Sequence, residues 1–224
     1  KILALCSPHN PVGRVWNKDE LKKLANICIK HNITIVSDEI HSDITFKKFT
    51  PLASISKEIA NQTITLNSAG KTFNIAGLNS AYAISKNQDL LNKFKKIAQK
   101  REIQSINFFG YIATKAAYDN GAIFVEELKK YLLSNIEFTK NYLKKNNSKI
   151  DFKPPEATYL LWLDFSRYNL SHNEIKNILL TKSKIALNDG VSFGNNGNGY
   201  FRLNLALSQN SLEIALSQLS KEFL

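Results

Sequence analysis

Apolar and polar positions follow two different periods along this chain. Residues 2–6, Ile-Leu-Ala-Leu-Cys, form a continuous apolar run, the pattern of a strand buried on both faces. The turn 7–14, with two prolines and a glycine, excludes regular structure. Asn17 with Glu20 three residues on reads as a capping box. Leu21, Leu24, Ala25 and Cys28 then recur at helical spacing until His31-Asn32. A second β-rich run, 33–37, leads straight into Asp38-Glu39-Ile40-His41. Strand, helix and strand with short connections predict a βαβ unit. A third run, 63–67, ends in Ser68-Ala69-Gly70-Lys71, and a fourth, short run covers 80–85. Helical patterns fill 89–102, 109–118 and 123–146.

After residue 146 the texture changes. A polar break, Asn146-Asn147-Ser148, precedes a strand-like 150–153, a Pro154-Pro155 interruption and a strand over 158–165. Residues 170–183 are helical and open on Ser171 and Glu174, a second capping box. A strand-like 185–187, a Gly/Asn-rich hairpin loop at 194–199, a strand over 200–207 and a helix from about 211 complete the pattern. The expected fold is α/β: a large domain on a mostly parallel sheet, then a smaller α+β domain. Boundaries are expected at 1–122 for the large domain, 123–146 for an interdomain helix and 147–224 for the small domain.

Composition narrows the function classes. The formal charge is +11, yet 26 of the 30 basic residues are lysines, many in pairs on predicted helix faces. With only four arginines, base readout has little to work with, and no nucleic-acid partner is expected. No apolar run approaches the ~20 residues of a membrane helix, so no membrane partner is expected either. Two cysteines build no disulfide framework and read as reduced thiols of a cytoplasmic protein. The four histidines show no ligand spacing, and no metal is expected. The chain opens on Lys1, leads at once into an apolar strand and contains no methionine. That beginning suggests the downstream part of a longer polypeptide.

The chemistry-bearing residues follow the early strands. Ligands of open α/β sheets bind beyond the carboxyl ends of the strands. Those ends carry Asn10, then Asp38 with His41, then Ser68 with Lys71; far along the chain Arg202 lies inside an apolar strand. Singly, each has a plain structural reading: a surface lysine, turn formers, a packed histidine, an arginine paired with a carboxylate such as Asp164. Together they match one chemistry. A lysine amine joins carbonyls, a carboxylate keeps a pyridine nitrogen protonated, an amide and an imidazole bond a phenolate oxygen, a hydroxyl suits a phosphate, and an arginine clamps a carboxylate. The set describes a pyridoxal-phosphate site.

At this point the motifs 7–14, 37–43 and 68–78, with 157–165, 188–194 and 201–204 further on, resemble those of fold-type I pyridoxal-phosphate enzymes of the class I/II aminotransferase superfamily. Within it they are most similar to the cystathionine β-lyase-like C–S lyases. The resemblance implies a PLP-transferase-like large domain truncated at its N-terminus. It implies that Lys71 carries pyridoxal 5'-phosphate, Asp38 faces the ring nitrogen, Asn10 the phenolate oxygen, Ser68 the phosphate and Arg202 the substrate α-carboxylate. Ordinary aminotransferases of the group carry tyrosine where this chain has His41 and arginine where it has Asn79; both departures fit the lyase branch. The implied activity is β-elimination from a small sulfur-containing amino acid, giving pyruvate, ammonia and a thiol or sulfide, with a homodimer for the full-length protein. An aminotransferase on the same fold and an inactive truncated fragment stand as the alternatives.

Overall fold

The computed structural model describes residues 1–103, 107–146 and 148–223. Asn147 of the polar break, and Leu224, lie outside the described residues. The chain divides into two compact units. The first comprises Lys1–Asn10 and Arg14–Glu127, the second Pro11–Gly13 and Leu128–Leu224.

The first unit is built on a four-stranded sheet in sequential order. Strands β1 (Ile2–Cys6), β2 (Thr34–Asp38) and β3 (Thr63–Asn67) run parallel, and β4 (Tyr82–Ile84) is antiparallel to β3. Between β1 and β2 lies helix α1 (Lys18–Lys30), capped as the sequence predicts. Asn17 accepts from the N–H groups of Asp19 and Glu20, and Glu20 returns a bond to the Asn17 N–H. Such caps contribute about 1 kcal/mol. The buried stripe of α1, Leu21, Ala25 and Cys28, packs with Leu5, Ile35 and Ile59, the last from helix α2 (Lys57–Gln62). Strand geometry turns the alternate set, Ala4, Cys6, Val36 and Asp38, to the other side of the sheet. Residues 69–72 form a single helical turn, α3 (Ala69–Thr72). Helices α4 (Gln88–Lys100) and α5 (Phe108–Asn120) follow, then the long α6 (Ala122–Lys145), whose first six residues count with this unit.

One buried acid carries a pH signature. Glu39 is only 4% exposed and accepts from Ser37 Oγ at 2.9 Å and Leu52 N–H at 3.1 Å. Burial foremost, with the neighbouring Asp38 charge adding to it, pushes its carboxyl above the ordinary value. A raised carboxyl favours the fold at low pH, and that contribution is lost as pH rises through the folded value. Glu39→Gln keeps an acceptor and removes the charge. Its melting temperature is therefore expected to exceed wild type at pH 8, with the gap closing toward pH 5 in thermal melts.

The second unit is a three-stranded antiparallel sheet in the order β5 (Leu160–Asp164), β7 (Tyr200–Asn204), β6 (Asn188–Asp189). Helices α7 (His172–Thr181) and α8 (Gln209–Glu222) belong to it with most of α6. Register decides the two faces. Leu161 and Leu163 pair with Leu203 and Phe201, all buried. Trp162 pairs with Arg202, and Asp164 with Tyr200, on the other face. Two expected strands differ. Residues 150–153 contribute only a single bridge, Asp151 to Asp164. Residues 185–187 are irregular, and pairing begins at Asn188, where the backbone first meets Arg202. The 194–199 segment joins β6 to β7 with a short 3-10 turn, Asn195–Gly197. Among the described residues no helix is long and apolar enough to cross a membrane.

Candidate active site

In the first unit three parallel strands end together. Cys6, Asp38 and Leu66 occupy matching positions across β1, β2 and β3. Asp38 thus lies at the end of the central strand, between the turn that leaves β1 and the turn that leaves β3. Its Oδ1 accepts the Ile40 N–H at 3.1 Å, and its carbonyl accepts from Ser7 N–H at 3.0 Å. The side chain is half-buried. Asn10 closes the first turn: its backbone N–H faces the Cys6 sulfur. Burial foremost, and the Asp38 charge, raise that thiol's value, while the Asn10 bond works the other way. The Cys6 thiol donates to the Pro8 carbonyl at 3.4 Å. His41 is nearly fully buried at the start of the loop beyond Asp38, and its carbonyl accepts the Ile44 N–H at 3.2 Å.

Ser68 caps the Lys71 turn. Its hydroxyl accepts the Gly70 N–H at 2.9 Å and gives its one proton to the Ser80 carbonyl at 2.6 Å. A phosphate would therefore receive that proton only if Ser68 turned away from Ser80. Ser68→Ala removes the cap and leaves the part-buried Ser80 carbonyl without that donor. We expect a loss of about 1–3 kcal/mol, read as a shifted denaturation midpoint.

Lys71 itself is exposed. Its neighbours hold it in place. Thr72 Oγ1 donates to Asp43 at 2.9 Å, and Phe73 meets Tyr118 edge-on at 5.7 Å and stacks with Phe124 at 6.0 Å. Asn79, where an arginine was absent from the sequence pattern, adopts a left-handed conformation (φ 51°) that ends the turn 76–78. A cavity of about 400 Å³ is lined by Asn67, Tyr82, Ser42, Asp43 and Phe49 among others. Ser42 and Asp43 were legible only within the motif 37–43, and Asn67, Tyr82 and Phe49 were not singled out from sequence; Asn67 lies one residue before Ser68 and holds Ser42 Oγ at 3.0 Å.

Arg202 belongs to the second unit. Its Nη2 donates to Asn188 Oδ1 at 2.9 Å, and its Cζ sits 4.8 Å from the Phe193 ring centroid. Burial lowers its value, with Tyr159 opposing. Asp164 is not its partner: register sets that carboxylate opposite Tyr200, whose hydroxyl it accepts at 3.3 Å. Trp162 stacks on Tyr200 at 5.5 Å beside the arginine. Asn188 and Phe193 were legible only as parts of a motif, since neither residue type signals a site alone.

The first unit is thus an open α/β sheet with an acid at the end of its central parallel strand and a lysine on the turn after the next strand. The chain belongs to the aminotransferase class I and II family, whose model matches residues 1–219. It is 38% identical over 220 residues to the cystathionine beta-lyase PatB of Bacillus subtilis, covering 97% of this chain and 57% of that protein. It is 32% identical over 214 residues to the protein MalY of Escherichia coli, covering 95% of this chain and 55% of that protein. The solved structure of cystalysin from Treponema denticola, described as containing a pyridoxal 5'-phosphate cofactor, matches with a TM-score of 0.96 and 34% identity, covering 99% of this chain and 57% of that one. The chain therefore spans a little over half the length of the relatives it matches.

Proposed function

We propose that this chain supplies most of the catalytic residues of a pyridoxal-phosphate-dependent C–S lyase that eliminates a thiol or sulfide from the β-carbon of a small amino acid. One observation carries the reading: Asp38 ends the central parallel strand, between the Asn10 turn and the Lys71 turn, an edge where open α/β sheets take ligands. The relatives named as cystathionine beta-lyases support the branch.

The donor set fits the cofactor. Lys71 offers a solvent-accessible amine on a short, well-anchored turn, and Asp38 a carboxylate where a ring nitrogen would need a negative partner. Bound there, pyridoxal phosphate supplies an electron-accepting ring. Asp38 keeps the proton on the ring nitrogen. Asn10 and His41 would hold the ring's phenolate oxygen. Arg202 holds the substrate carboxylate with its planar fork. Lys71 Nζ would take the proton from the substrate α-carbon.

Pyruvate and thiol release from L-cystathionine or L-cysteine by the PLP-loaded full-length protein is the expected result. Keto-acid-dependent amino transfer without thiol release would instead place the protein with the aminotransferase relatives, such as the probable aspartate/prephenate aminotransferase of Aquifex aeolicus at 30% identity. Absence of any cofactor absorbance would mark an inactive chain.

A further inference from the structure

The Arg202 side chain is held by a segment that is itself unusually well tied. Asn188, which accepts from Arg202 Nη2, belongs to β6, a strand of only two residues. Two ladder positions cannot hold a strand firmly by themselves. The next residue does the holding. Asp189 accepts His172 Nε2 at 2.8 Å and its own turn's Val191 N–H at 2.9 Å through Oδ1, and Lys176 Nζ at 2.8 Å through Oδ2. Its carbonyl accepts the Ser192 hydroxyl at 2.6 Å. These bonds shape the turn Gly190–Phe193, which delivers Phe193 onto the guanidinium plane. Gly190 completes the bracket: a Cβ there would overlap the carbonyls of Tyr200 and Gly197.

His172 ties β6 to β7, the strand that carries Arg202. It is 8% exposed, and its ring lies flat on Phe201, the residue before the arginine, at 4.6 Å and 6°. Nδ1 accepts the Gly199 N–H at 3.0 Å, just ahead of β7. Nε2 therefore bears the proton and donates it to Asp189 on β6, a tautomer assigned from the two partners. The imidazole thus fixes the distance from Gly199 to Asp189, and with it the place of Asn188 opposite Arg202.

We propose that His172 and Asn188 are positioning residues for the carboxylate site: the His172–Asp189 bond locks β6 so that Asn188 and Phe193 orient Arg202 for a substrate carboxylate. The inference rests on the reading of Arg202 given above. Neither residue needs to touch substrate. Asn188 acts on the guanidinium, and His172 acts one step further back, through Asp189.

The test uses the PLP-loaded full-length protein with L-cystathionine. Asn188→Ala changes an exposed residue and is expected to fold normally. His172→Phe keeps the stack on Phe201 and loses both ring hydrogen bonds. Each is expected to raise KM about tenfold, the scale of losing one hydrogen bond to a charged group, while kcat and the cofactor absorbance stay near wild type. The double variant is expected to raise KM by less than the product of the two single effects, because both act on the same guanidinium. Arg202→Lys separates the two ideas. If it leaves KM unchanged, the carboxylate assignment itself falls. If it raises KM while Asn188→Ala and His172→Phe do not, Arg202 keeps its role and the positioning device is overturned. A His172→Phe protein with lower kcat and melting temperature but unchanged KM would also overturn it.

Discussion

Lys71→Ala is expected to abolish retention of pyridoxal phosphate through borohydride reduction and to lower turnover by roughly 10²–10⁴-fold, the range for losing a positioned proton-transfer group. Three features make this a chemical loss rather than a structural one. Lys71 is exposed, its side chain is not part of the buried core, and alanine is a better helix former at the same place in α3. The turn is held by its neighbours: Ser68 caps it, Thr72 bonds Asp43, and Phe73 packs on Tyr118 and Phe124. The melting temperature of the variant is therefore expected to stay within about 1–2 °C of wild type, the scale of ordinary surface substitutions. Peptide mapping of the reduced wild-type protein is expected to place the cofactor on Lys71. Finding it on one of the other 25 lysines, or finding Lys71→Ala fully active, would refute the assignment.

The parallel core was readable because its signals are local. The apolar runs at 2–6 and 63–67, the Asn17–Glu20 box and the period of α1 each occupy a few adjacent residues, and each formed its expected element; the run 2–6, however, is not buried on both faces, since only Leu5 of it is buried. Asp38 was placed correctly at a strand end because the sequence shows where the apolar run stops. What sequence could not show is register. Whether Arg202 meets Asp164 or Asn188 depends on Trp162 pairing with Arg202, a nonlocal choice that sends Asp164 to Tyr200. The same choice places pairing at 188–189 rather than at the more apolar 185–187. Ser68 shows a second limit: a hydroxyl reads as a ligand group from its motif, while its proton here goes to Ser80, twelve residues away. Helices α4 and α5 expose much of their apolar pattern. Phe94, Ile97, Phe108 and Phe109 are all at least 40% exposed, so amphipathic spacing found the helices but not what they pack against.

Phe165→Ala is expected to destabilise the second unit by about 3–5 kcal/mol, a large share of the 5–15 kcal/mol that holds a typical domain. Phe165 is fully buried where β5 ends. It meets Phe201 edge-on at 5.5 Å and Phe223 at 5.1 Å, with Tyr168 tilted at 6.4 Å. Each such aromatic pair adds roughly 0.5–1.5 kcal/mol beyond area burial. The surroundings cannot close over the gap, because each neighbour is committed elsewhere. Phe201 sits in the β7 ladder and under His172, and Tyr168 Oη donates to the Phe223 carbonyl at 2.7 Å while accepting from Lys149 N–H at 2.8 Å. A cavity that cannot relax takes the upper part of the penalty range. Phe165→Leu, which refills part of the volume, is expected to cost clearly less. Denaturant midpoints followed by aromatic circular dichroism measure both. Equal losses for the two variants would mean that the ring geometry, and not the filled volume, sets the stability of this cluster. The consequence reaches the proposed site through one residue: Phe201 links Phe165 to both His172 and Arg202, so packing lost behind the sheet is expected to appear as weaker carboxylate binding in front of it.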